Sequence, residues 1–77
     1  MTGPEFASIR KSLGLSVIEM GRALGYQGTD ATVSVTVRRY EAPNGREIPP
    51  WIARLARMYE RYGIPFDLSR SEQGKSP

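Results

Sequence analysis

The 77-residue sequence predicts an all-α fold of four to five helices. Two segments near the N-terminus each combine a helix-capping pattern, apolar residues at helical spacing and a terminating glycine. A later segment begins at paired prolines and continues with apolar residues three or four positions apart, which is typical of an amphipathic helix. A sheet is not expected, because an isolated strand would have no partner.

The first two helices are predicted from their ends. Thr2 to Glu5 can form a capping box with proline in the first turn, and Gly14 supplies the left-handed turn that ends the helix. Ser16 to Glu19 repeats the capping box, so a second helix follows a tight turn and ends at Gly25. Gly21 lies inside that helix, where glycine is costly, and this predicts a close helix–helix contact.

The stretch from Thr29 to Glu41 admits two interpretations. Its β-branched residues alternate with other residues, which by local propensity favours a strand. A helix is predicted, because Val33, Val37 and Tyr40 share one helical side and either Thr29 or Asp30 can cap its start.

The C-terminal part is predicted as a turn, a helix and a tail. Ala42 to Gly45 has turn chemistry, and Ile48-Pro49-Pro50 opens the last helix, which Gly63 ends. Its expected apolar stripe is Ile52, Leu55, Tyr59 and Tyr62, with Arg54, Arg57 and Arg61 as a solvated row on the other side. Residues 1–68 are taken as one domain and residues 69–77 as a flexible tail.

Composition excludes much chemistry. The absence of cysteine and histidine removes disulfides, thiolate metal sites and the commonest general base, so an enzyme, a metal site and a cofactor are not expected. The net charge of +3 is compatible with nucleic-acid binding and equally with an ordinary solvated surface. Apolar runs are short and the N-terminus lacks a signal-peptide core, so a cytoplasmic protein without membrane contact is expected.

A longer pattern is carried by Phe6-x-x-Ile9-Arg10-x-x-Leu13-Gly14-Leu15-Ser16, Glu19 to Gly25, Thr36 to Glu41, and Ile48-Pro49. It resembles the lambda-repressor and Cro-type (XRE-like) helix-turn-helix family over roughly residues 2–62. The resemblance implies that the small residue Gly21 lets the two motif helices approach. It also implies that the second of these, ending in Arg38-Arg39-Tyr40, lies in a DNA major groove.

Two departures from the family pattern affect the expected contacts. The segment between Gly25 and Tyr40 is longer than is usual, so the extra residues either extend the second motif helix or form a longer loop. Val17 replaces a glutamine that contacts phosphate in many family members, although backbone amides near Ser16 can still face an anion. The residues expected to contact DNA are Ser16, Gln27, Thr29, Thr32, Ser34, Thr36, Arg38, Arg39 and Arg46.

The resemblance therefore implies a sequence-specific regulator of double-stranded DNA, either a repressor or an autorepressor of phage or mobile-element type. Binding to an inverted repeat as a homodimer is expected, without a small-molecule ligand. The expected dimer contacts are Trp51, Ile52, Tyr59, Ile64 and Phe66. The alternative is a protein-binding module of the same fold, antitoxin-like or an antirepressor partner. Use of Trp51, Tyr59 and Tyr62 to stack single-stranded bases is less favoured than a role in the core or in a subunit contact.

Overall fold

The structure is a computed structural model that describes residues 1–65 of the 77-residue chain. Within that part there are four helices and no strand. The helices are α1 (Gly3–Ser12), α2 (Val17–Ala23), α3 (Asp30–Glu41) and α4 (Pro50–Tyr62). The all-helical prediction is confirmed for these residues. Phe66, the domain boundary at residue 68 and the predicted tail at residues 69–77 lie outside the described residues.

Both predicted capping boxes are formed. In α1 the Thr2 hydroxyl accepts a hydrogen bond from the Glu5 backbone N–H at 3.1 Å, and the Glu5 carboxylate accepts one from the Thr2 N–H at 2.8 Å. Ser16 and Glu19 repeat this exchange at the start of α2, at 3.0 and 2.8 Å. Gly14, between them, has a φ of 75°, a conformation that other residues rarely adopt. Local chemistry thus fixes the tight turn that joins α1 to α2.

The ambiguous third segment is a helix. Thr29 is its N-cap, with the hydroxyl accepting from the Thr32 backbone N–H at 3.2 Å. Val33 and Val37 are 1% and 0% exposed, so burial of one helical side outweighs the local preference of β-branched residues for a strand. The sequence left open whether the extra residues between Gly25 and Tyr40 extend the helix or form a loop, and they do both. Residues from Asp30 onward belong to α3, and those between Gly25 and Asp30 form the connection from α2.

Gly21 is the point of closest approach between α2 and α3. A Cβ atom there would overlap Cγ1 of Val33 and lie 3.1 Å from Cγ2 of Val37. The predicted close contact is confirmed, and it explains why a residue that weakens the helix interior is present in α2.

The core is formed by all four helices, since α1 packs on α3 and α4, and α2 packs on α3 and contributes Met20 and Ala23. Phe6 and Ile52 are fully buried, and the Phe6 ring meets the Tyr40 ring edge to face with centroids 6.0 Å apart. On α4 the buried residues are Ile52, Ala56 and Tyr59.

This arrangement corrects two predictions about α4. Ile52 and Tyr59 were expected at a dimer interface, but they are 0% and 5% exposed and belong to the core, and the Tyr59 hydroxyl donates to the Ala23 carbonyl at 2.6 Å. Tyr62 was expected on the inward stripe, but it is 76% exposed. The physical reason is rotation, because Tyr62 lies ten residues after Ile52 and so is turned about 80° away from it around the helix.

No helix in residues 1–65 has the length and apolar character needed to cross a membrane. The same residues contain no cluster of acidic side chains that could hold a metal ion.

Candidate functional site

The outer side of α3 faces away from the buried valines and is the strongest candidate site in the described part of the chain. Its exposed residues are Ala31, Thr32, Val35, Arg38 and Arg39. A shallow, open depression of about 300 Å³ runs along it, lined by Ala31, Thr32, Val35, Thr36 and Arg39. The site is thus a single helix side with a cationic end, and not a closed pocket.

Arg38 and Arg39 are exposed and, within residues 1–65, neither forms an ion pair. Three other arginines do pair with carboxylates: Arg10, Arg22 and Arg57. Both free guanidiniums stand in the last turn of α3, where a positive charge interacts favourably with the helix dipole. The end of α3 therefore offers two adjacent planar cations suited to phosphate or to a base edge.

The threonines of α3 differ in what they can still offer. The Thr29 hydroxyl donates to Oγ1 of Thr32 at 3.0 Å, and the Thr36 hydroxyl donates to the Thr32 carbonyl at 3.1 Å. Both protons are used within the helix. Thr32 accepts from Thr29 and keeps its own hydroxyl proton, so it is the threonine best able to donate to a ligand.

Ser34 was predicted on the outer side, and this is wrong. It is 8% exposed, because it follows Val33 directly and precedes Val37 by three positions, which puts it on the flank of the buried side. Val35, which was not predicted, takes the outer position and is 46% exposed. Counting 100° per residue from Val33 would have found it, but the alternating pattern of the segment hides that geometry.

The remaining predicted contact residues are exposed but scattered. Ser16 caps α2 and Gln27 lies in the connection before α3. Arg46 is brought back to the end of α3, since its backbone N–H donates to the Arg39 carbonyl at 3.0 Å. The structure therefore brings Arg46 close to the helix end that carries Arg38 and Arg39.

Arg22 holds the connection between α2 and α3, a role the sequence did not predict. Its Nη2 donates to the Gly28 carbonyl at 2.8 Å and to Oδ1 of Asp30 at 2.9 Å, and its Nη1 donates to the Tyr26 carbonyl at 3.4 Å. Two of these acceptors are backbone carbonyls, which carry no residue-specific signal in a sequence. The contact fixes where α3 begins relative to α2.

Arg10 and Glu41 fix the other end of α3. Nε of Arg10 lies 2.6 Å from one carboxylate oxygen of Glu41, and Nη2 lies 3.3 Å from the other. Nη1 donates to the Leu15 carbonyl at 2.8 Å. Both side chains are 14% exposed, so the pair is largely shielded from water and joins α1, the α1–α2 turn and the end of α3.

A second exposed surface lies on α4 and is apolar. Trp51, Met58 and Tyr62 are 53%, 51% and 76% exposed, and their spacing puts them on one helical side. We call these three residues the α4 stripe. Of the predicted dimer contacts, Trp51 belongs to this stripe and Ile64 is partly buried at the end of the described chain.

Comparison of the chain with protein-family models, with curated proteins and with solved structures gave no match.

Proposed function

We propose that the protein is a sequence-specific regulator of double-stranded DNA, a lambda-repressor-like helix-turn-helix domain whose motif helices are α2 and α3. The observation that supports this most directly is the exposed outer side of α3, which carries Thr32, Arg38 and Arg39, and where neither arginine forms an ion pair within residues 1–65. The DNA major groove, about 12 Å wide, admits one α-helix presented in this way.

The chemistry of each side chain suits a part of the duplex. An arginine can bind the O6 and N7 atoms of guanine with two parallel hydrogen bonds, or can pair with a phosphate. Arg39 borders the depression and is assigned to a base edge, whereas Arg38 and Arg46 are assigned to phosphates. Thr32 donates its hydroxyl proton to a base or phosphate oxygen.

In this proposal the protein is a cytoplasmic repressor or autorepressor that binds an inverted repeat as a homodimer. A single module of this size buries limited surface on DNA, and pairing of two modules supplies the remaining affinity and the symmetry. The α4 stripe is the proposed contact between the two copies, because it is the apolar surface that the core leaves exposed on α4.

The test begins with selection of bound sites from a pool of random duplexes, followed by gel-shift titration of the selected site at several salt concentrations. Two chains per duplex, an inverted-repeat sequence and a steep loss of affinity with rising salt are expected. Arg39→Ala should weaken binding about 10-fold or more and Arg38→Ala by less, with unchanged circular dichroism.

Arg54→Ala is the matched control, since it removes an exposed arginine of α4 and the same charge. It should leave affinity for the selected site near the wild-type value. Wild-type affinity in the Arg38→Ala/Arg39→Ala double variant would overturn the proposed role of α3.

A second candidate, a protein-binding module of the same fold, is favoured by the apolar character of the α4 stripe. The same titration separates the two functions. Absence of duplex binding even at low salt, where electrostatic attraction is strongest, would favour the protein-binding module.

A further inference from the structure

Val35 is the largest exposed aliphatic residue on the outer side of α3, which also carries Ala31, Thr32 and two arginines. It is 46% exposed, whereas Val33 and Val37 of the same helix are 1% and 0% exposed. It lines the depression on the outer side of α3 together with Ala31 and Thr36. The Thr36 hydroxyl proton is already donated to the Thr32 carbonyl at 3.1 Å, so Thr36 has no hydroxyl proton left to donate into the depression.

This depression is therefore apolar in the middle and cationic at the end where Arg39 borders it. Base edges in the major groove display hydrogen-bond donors and acceptors, with one apolar group among them, the 5-methyl of thymine. A donor or acceptor pressed against Val35 would lose its water without gaining a partner, which is costly. A thymine methyl loses nothing by the same contact.

We propose that Val35 is a specificity-determining residue that selects thymine by contact with its 5-methyl group. The assignment rests on the proposed function, since it requires α3 to lie in a major groove. Arg39 follows Val35 by four residues, about 6 Å along the helix axis, and base pairs are spaced about 3.4 Å apart. The selected thymine therefore lies within about two base pairs of the guanine bound by Arg39.

The test uses the full chain and the duplex obtained by selection. Each thymine of a half-site is replaced in turn by deoxyuridine, which pairs identically and lacks only the methyl group. At one thymine near a guanine, this replacement should weaken wild-type binding about 3- to 10-fold, the effect of removing one buried methyl group. In Val35→Ala the same replacement should change affinity less than 2-fold, roughly the loss of that contact.

Val35→Ala should fold normally, because the side chain is half exposed and alanine favours a helix. Its melting temperature checks this. Ser8→Ala, a small truncation at an exposed position of α1, is the matched control and should keep the wild-type difference between thymine and deoxyuridine.

The outcomes separate the inference from the function on which it rests. Specific duplex binding with no effect of deoxyuridine at any position would overturn the role of Val35 and leave the proposed function standing. So would a Val35→Ala variant that still discriminates fully between thymine and deoxyuridine. Failure of the wild-type chain to bind any duplex would overturn both.

Discussion

The two sides of α3 have opposite properties although they share one short helix. On the inner side, Val33, Val37 and Tyr40 are at most 5% exposed. The two valines pack so closely on α2 that a Cβ atom at Gly21 would have no room. On the outer side, Arg38 and Arg39 are exposed and have no ion-pair partner within residues 1–65.

The inner side therefore positions α3, whereas the outer side is the surface available to a binding partner. Close-packed interiors resist changes of even one methyl group, so the inner side sets where α3 stands. Exposed side chains contribute little to folding and can be changed freely. Substitutions on the inner side should therefore alter stability, and those on the outer side should alter binding alone.

The largest effect is expected at the point of closest packing. Gly21→Ala places a Cβ atom against Cγ1 of Val33, and a valine in a helix has one strongly preferred rotamer, so it cannot turn away. Overpacking outweighs the gain in helix propensity, and the free energy of unfolding should fall by about 2 kcal/mol. Urea denaturation measures this change.

The overlap at Gly21 depends on Val33. Val33→Ala removes the methyl group that the new Cβ atom would overlap. Adding Gly21→Ala to that background should be neutral or stabilising by up to about 1 kcal/mol, the helix-propensity gain alone. Equal costs of Gly21→Ala in both backgrounds would show that the α2–α3 contact is not the constraint.

A smaller effect is expected where α3 ends against α1. Glu41→Gln leaves the largely buried Arg10 guanidinium without its counter-charge, and the free energy of unfolding should fall by about 1–1.5 kcal/mol. Glu60→Gln is the matched control, since its pair with Arg57 is 3.6 Å long and about half exposed, and it should cost at most about 0.5 kcal/mol. Equal costs for the two variants would show that the Arg10–Glu41 pair does not stabilise the end of α3 against α1.

The starts of α1 and α2 and the inner side of α3 were largely predictable from the sequence, because their signals lie within a few residues along the chain. Capping boxes operate within four residues, which is why the starts of α1 and α2 could be identified from Thr2 and Ser16. Gly21 was equally informative, since a glycine inside a helix needs a packing reason. Val33, Val37 and Tyr40 were identified by spacing alone.

The outer side of α3 and the exposed side of α4 were predicted less well. Ser34 was assigned outward because the alternating pattern of the segment hides the turn of 100° per residue, which places Val35 there instead. The errors on α4 have a non-local cause. Tyr59 was assigned to an interface because the sequence does not show how much of α4 the rest of the core covers. Arg22 was missed because its partners include backbone carbonyls of a loop.

The smallest effect is expected at the border between the inner side of α3 and α4. The Tyr26 hydroxyl lies 2.7 Å from the Tyr40 hydroxyl, and the Tyr26 ring is 6.5 Å from that of Trp51. Burial, together with this hydrogen bond, raises the pKa of Tyr26 from its ordinary value of 10 to about 12. At neutral pH, Tyr26→Phe should cost only about 0.5 kcal/mol, the low end for one hydrogen bond.

The effect of burial on Tyr26 can be measured at alkaline pH, where its hydroxyl ionises. Since the pKa of Tyr26 is higher in the folded chain, the unfolded chain loses the proton first, so the stabilisation is complete below pH 10 and is lost as pH rises towards about 12. Tyr26→Phe should therefore lose less stability between pH 7 and about 11 than the wild type, by urea denaturation. Tyr62→Phe, at a 76% exposed position, should keep the wild-type loss. An unchanged alkaline loss in Tyr26→Phe would mean that the Tyr26 hydroxyl stays hydrated, and that the tightly packed inner side of α3 ends at Tyr40.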